Sequence, residues 1–92
     1  MKKNLFFIVE SNNMHEYKKE KHTIDYTAKD EDDRNLLHIA IISDADKIAR
    51  DLIYNGIDIN ATDRYGLTPL HLCAEYENYS VAEILLRKGA IV

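Results

Sequence analysis

Four histidines and a single cysteine are the residues through which this 92-residue chain would do nucleophilic, acid–base or metal chemistry. Cys73 follows His71 by two positions, which pairs a thiol with a base in the sequence. Residues two apart on a helix point in different directions, so the imidazole is badly placed to take the thiol proton. A free cysteine also serves well as a small apolar core residue. His38 and His71 sit one repeat unit apart, which in packed helices means about 10 Å. A shared zinc ion, with bonds of about 2 Å, needs them much closer. His15 and His22 are expected on the surface. The run Asp30-Glu31-Asp32-Asp33 lacks the alternating oxygen ligands, central glycine and closing glutamate of a calcium loop. It reads either as a solvated turn or as a surface for a basic partner, and both readings stay open. There is no Gly-rich phosphate loop, no cysteine pair and no serine elbow. The expectation is therefore no catalytic residue, no cofactor and no metal; an enzyme or metal protein would have to work through His38, His71 or Cys73.

The composition points the same way. Apolar residues form 46% of the chain and charged residues 30%, a balance that folds and stays soluble. A formal net charge of −4 argues against nucleic acid as a partner, because phosphate binding wants clustered Lys and Arg. Lys18, Lys19 and Lys21 are interrupted by Glu20 and read as a wet helix face. One cysteine permits no internal disulfide, so a reducing compartment, the cytoplasm, is expected. Met1-Lys2-Lys3 before Leu5-Phe6-Phe7-Ile8-Val9 is similar to the start of a secretory signal. The apolar run stops at Glu10, too early for a signal core or a membrane span, and is expected to be a buried helix. Lys outnumbers Arg, and Ile and Asn are abundant, as A/T-rich coding in a low-GC bacterium, a virus or a protozoan would give.

An internal repeat must position these residues. A shift of 33 residues lays Asp30 on Asp63, Leu37 on Leu70, His38 on His71, Ala49 on Ala82, Leu52 on Leu85 and Gly56 on Gly89. Ile39 falls on Leu72, Ile48 on Val81, Ile53 on Leu86 and Ile59 on Val92. Apolar positions, histidine and glycine keep phase.

The segment Asp63-Arg64-Tyr65-Gly66-Leu67-Thr68-Pro69-Leu70-His71-Leu72-Cys73-Ala74, followed by Val81-Ala82-Glu83-Ile84-Leu85-Leu86-Arg87-Lys88-Gly89-Ala90, resembles the ankyrin repeat. It departs from the family pattern at Glu77, Asn78 and Cys73. Residues 30–62 form a looser copy, with Asp33 for the turn glycine and Asn35-Leu36 for Thr-Pro. Residues 4–29 fit only with a one-residue deletion, Leu5 answering to Leu37 and Asp25 to Asp58, and read as a degenerate N-terminal cap. The resemblance implies one all-α domain over 1–92, a solenoid of paired antiparallel helices joined by turns, with two full repeats (30–62 and 63–92) and that cap.

Thr68 is placed to cap a helix that opens with Pro69, and His71 to reach back to the Thr68 hydroxyl or the loop backbone; His38 should bracket Asn35 likewise. Val81, Ile84, Leu85 and Leu86 form an apolar stripe at helical spacing, as do Ile48, Leu52 and Ile53. Gly56 and Gly89 close their helices in the left-handed conformation. With no polar final repeat after Val92, Leu70, Ile84 and Leu85 are expected near an uncovered end. That end implies a shortened chain, self-association or a covering partner.

The resemblance also implies a function. Ankyrin-like repeats bind proteins on a concave face built from turns and first helices, which here assigns Glu31, Asp32, Arg34, Ile42 and Ser43, then Arg64, Tyr65, Leu67, Glu75 and Tyr76. Tyr65 and Tyr76 stand out, since tyrosine is enriched in recognition surfaces. The expected function is a non-catalytic protein-binding module without nucleic-acid or membrane partners. Narrower versions are an immunity or antitoxin-type protein that neutralises a basic toxin, or a microbial or viral effector that engages a host protein. A piece of a larger repeat array is a further alternative.

Overall fold

The computed structural model describes residues 4–92; Met1, Lys2 and Lys3 of the signal-like opening lie outside the described residues. Six α-helices follow one another with no strand among these residues: α1 (Leu5–Glu10), α2 (Met14–Glu20), α3 (Leu36–Ile42), α4 (Asp46–Tyr54), α5 (Pro69–Glu75) and α6 (Tyr79–Arg87). A 3-10 turn, Lys21–Thr23, extends α2.

The starts of these helices are written locally. Asn4, Asn13, Asn35, Thr68 and Asn78 each turn a side-chain oxygen onto backbone N–H groups of the first turn, which would otherwise lack partners. Only α4 begins on Ala45 without such a cap. The ends are equally regular. Asn13, Ala45, Ile57, Asn78 and Ala90 each donate their N–H to the carbonyl five residues back, at 2.8–3.1 Å. This closure needs the preceding residue in the left-handed region. Gly56 and Gly89 meet that need with φ of +92° and +89°, whereas Asn12, Asp44 and Glu77 occupy it at +51°, +57° and +56°. Asn12, Asp44 and Glu77 fall at the same point of successive helix pairs.

Each first helix packs on its partner: α1 on α2, α3 on α4, α5 on α6. First helices also stack on first helices, α1 on α3 on α5, and second on second, α2 on α4 on α6. The result is elongated, 39 × 24 × 21 Å, with two helical layers. Leu36, Leu37, Ile41, Ile48 and Leu52 of the middle pair are sealed from solvent, joined by Val9 and Tyr17 before them and Val81 and Leu85 after. Cys73 is fully buried in the same core, and burial pushes its thiol up to about 11. That leaves it as the apolar residue its position demanded.

The last helix pair differs from expectation in one residue. Leu85 is fully buried, Leu70 and Ile84 are half-buried, and Leu86 is the exposed leucine. Consecutive residues on a helix diverge by about 100°, so the stripe cannot hold Leu85 and Leu86 on one face.

Candidate functional site

The two turns that carry most of the assigned residues are built alike. In the first, the Asp30 carboxylate accepts from the N–H groups of Asp32 and Arg34, both at 2.9 Å. In the second, the Asp63 carboxylate accepts from Tyr65 and Leu67 at the same 2.9 Å. A short acidic side chain that binds the backbone two and four residues on holds a turn in one shape. Asp33 and Gly66 sit at equal points, both left-handed, with φ of +58° and +79°. Asp30 is thus the internal brace of its turn, and only Glu31 and Asp33 of the acidic run are fully exposed. Partial burial pushes the Asp30 carboxyl up, and the hydrogen bonds from Arg34 and Asp32 outweigh it and hold the group below its usual range. Burial pushes the Arg34 guanidinium down, and the hydrogen bond and charge of Asp30, with the charges of Asp32 and Asp63, outweigh it and lift the group.

Between turns, Arg64 ties to Asp32 twice. Its N–H donates to the Asp32 carbonyl at 2.9 Å and its guanidinium to the Asp32 carboxylate at 3.1 Å. Asp32 also meets Arg34 at 3.4 Å, and Arg34 meets Asp30 at 2.8 Å. Arg64 lies over the Tyr65 ring, 5.6 Å from its centre, and Tyr65 is 72% exposed. The structure therefore gathers Asp32, Arg34, Arg64 and Tyr65 at adjoining tips. Leu67 stays half-buried and packs against the core.

The remaining assigned residues lie at the far ends of the first helices. Ile42 and Ser43 finish α3, and Glu75 and Tyr76 finish α5. Ile42 is half-buried against the core, while Glu75 and Tyr76 are exposed. Seven-residue helices separate this group from the turn tips by about 10 Å. α3 and α5 pack side by side.

His38 joins the start of α3 to the turn of the next repeat. The Asn35 N–H donates to His38 Nδ1 at 3.1 Å and the His38 N–H to the Asn35 side-chain oxygen at 3.0 Å. With Nδ1 accepting, the ring proton sits on Nε2 and points at the Leu67 carbonyl, 3.0 Å away in the next turn. Burial pushes His38 below its ordinary value despite that last bond. His71 repeats the bracket with Thr68, at 3.1 and 3.2 Å, but is exposed. Both His38 nitrogens are thus engaged by the protein itself. Among the described residues, no three His, Cys, Asp or Glu side chains are grouped to hold a metal ion. No described helix is long and apolar enough to cross a membrane.

Three ties were not foreseen from the sequence. Tyr17 donates its hydroxyl to Asp51 at 2.6 Å, joining α2 to α4; Asn78 donates to Asp46 at 2.8 Å; and Ile91 N–H donates to the Asn60 side chain at 2.9 Å. Each links residues some thirty positions apart, and only a repeat-to-repeat contact map would have paired them. Tyr79, 71% exposed and three residues beyond Tyr76, was also overlooked.

A family model for ankyrin repeats, in three copies, matches residues 5–92. Over 56 residues, 61% of the chain, the sequence is 43% identical to the ADP-ribosylation factor GTPase-activating protein AGD2 of Arabidopsis thaliana, covering 7% of that protein. Over 63 residues, 68% of the chain, it is 33% identical to the NF-kappa-B inhibitor zeta of Homo sapiens, covering 9%. Over 56 residues, 61% of the chain, it is 39% identical to the putative ankyrin repeat protein FPV219 of Fowlpox virus (strain NVSL), covering 13%. The match thus spans only a small part of each relative's length.

Proposed function

Because this chain belongs to the ankyrin-repeat family, whose repeats are in general protein-interaction modules, we propose that it is a non-catalytic module that binds a partner protein on the face made by its turns and first helices. The contact residues are Glu31, Asp32, Arg34, Ile42, Ser43, Arg64, Tyr65, Leu67, Glu75 and Tyr76. One observation carries the reading: the Asp32–Arg64 tie fixes neighbouring turn tips while Tyr65 stays 72% exposed on them. A large side chain with few torsions, held on a rigid support, loses little entropy on binding. The exposed Glu31 and Asp33, with a net charge of −4, favour a partner with a basic patch. A basic toxin or a basic surface on a host protein would both satisfy that chemistry.

The reading is tested by replacing Tyr65 and Tyr76 together with alanine and measuring partner affinity, with Tyr54→Ala as control. The expected result is a loss of at least about 1 kcal/mol for the double variant and none for the control. Equal affinity for all three proteins would move the site off this face.

A further inference from the structure

Seven asparagines are spread along the chain, and only Asn55 is followed by glycine. That pair carries a reaction of its own. With no Cβ on the next residue, the amide nitrogen of Gly56 can approach the Asn55 side chain more freely than the nitrogen of a bulkier neighbour. Asn55 is exposed. Around Gly56, no atom beyond its chain neighbours lies within 4 Å of where a Cβ would stand, so nothing crowds a ring formed there.

The fold also holds this pair back. Asn55 ends α4 with φ of −94° and ψ of 9°. The Gly56 N–H is donated to the Ile53 carbonyl at 3.2 Å, and the Asn55 side-chain amide turns back to the Asp51 carbonyl at 2.7 Å. Attacking nitrogen and target amide are thus each tied to the last turn of the helix. Both ties must break before the two can meet, and helix ends are where local opening costs least.

We propose that Asn55 is a site of spontaneous covalent modification, gated by opening of the end of α4. In the open state the deprotonated Gly56 nitrogen bonds to Asn55 Cγ, the Cγ–Nδ2 bond breaks, and ammonia leaves. Water then opens the cyclic imide at either carbonyl. Attack at Cγ leaves an aspartate; attack at the main-chain carbon leaves an isoaspartate, with the chain rerouted through the side chain and one methylene longer. The net change is amide plus water to carboxylate plus ammonium. Ile57, 3% exposed, donates its N–H to the Leu52 carbonyl at 3.1 Å across this stretch, and an inserted methylene displaces it. Either product also sets a negative charge at the carbonyl end of a helix, which already carries partial negative charge. The middle pair packs on both of its neighbours, so loosening it weakens both contacts. None of this depends on the partner-binding face.

The test incubates the 92-residue chain in mildly alkaline buffer, folded and in urea. Each asparagine is followed by peptide mass spectrometry, with fragmentation that separates aspartate from isoaspartate. In urea, Asn55 should convert ahead of the other asparagines. The folded chain should convert there at least about tenfold more slowly, as the ties to Ile53 and Asp51 demand. Asn55→Gln, which would need a larger ring, should show no conversion at that position. After removal of urea, the converted chain should unfold at a lower temperature than Asn55→Gln carried through the same treatment. Equal rates in the folded and unfolded chain overturn the proposal. So does another asparagine that reacts first in urea, and so does a converted chain as stable as the fresh one.

Discussion

His38 shows how one side chain can serve two units. Its Nδ1 closes the Asn35 bracket of its own helix while Nε2–H reaches the next turn at Leu67. Protonation of Nδ1 would set a second proton against the Asn35 N–H, and burial adds to that cost, so the folded chain holds the ring neutral to lower pH than the unfolded one. Above the unfolded value of about 6.5 the bracket contributes in full. As pH falls from there, the unfolded chain takes up the proton first and stability declines, until the folded pKa is passed. A further loss begins below about 3.9, the unfolded Asp value, where the lowered Asp30 carboxyl is drawn toward protonation. Chemical denaturation of His38→Gln between pH 7 and 5.5 should show a stability loss of about 1–3 kcal/mol at neutral pH and a shallower slope than wild type. An unchanged slope would mean that His38 is not the group that titrates.

At the scale of the element, the helix ends carry a cost that the sequence leaves in place. Glu77, Asp44 and Asn12 adopt positive φ between paired helices, where a Cβ meets the backbone unfavourably. Glu77→Gly should therefore stabilise the chain by about 0.5–1 kcal/mol after the greater flexibility of glycine in the unfolded state is counted, read as a rise in thermal midpoint. The converse holds for Gly89, whose φ is +89° and around which no atom lies within 4 Å of an added Cβ. Space is not limiting there, so the loss of at least about 1 kcal/mol expected for Gly89→Val comes from the backbone alone.

For the molecule as a whole, stability resides in contacts between neighbouring pairs, and the first pair has the shortest helices. Its outer layer is fastened by Tyr17, fully buried, whose hydroxyl donates to Asp51, with Lys21 at 3.4 Å from the same carboxylate. Burial, then the hydrogen bond and charge of Asp51, hold the Tyr17 phenol protonated and so keep it a donor. Tyr17→Phe should cost about 1–2 kcal/mol, since it removes a bond to a charged group that is partly exposed. Hydrogen exchange should quicken first in α1 and α2, while α3 to α6 keep their protection. Uniform loss over all six helices would show instead that the stack melts as one unit.

The sequence alone determined the repeat, the helix pairing and the internal brackets, because caps, turn residues and the helical apolar period depend on neighbours a few positions away. Thr68-Pro69-Leu70-His71 and Gly89 state their local geometry in their own chemistry. Only the tertiary structure decided that Arg64 seeks Asp32, that Tyr17 seeks Asp51, and that Leu86 rather than Leu85 is left bare. Those outcomes depend on how neighbouring pairs sit against each other, and a 100° step between consecutive helix residues turns a small difference in that placement into burial or exposure.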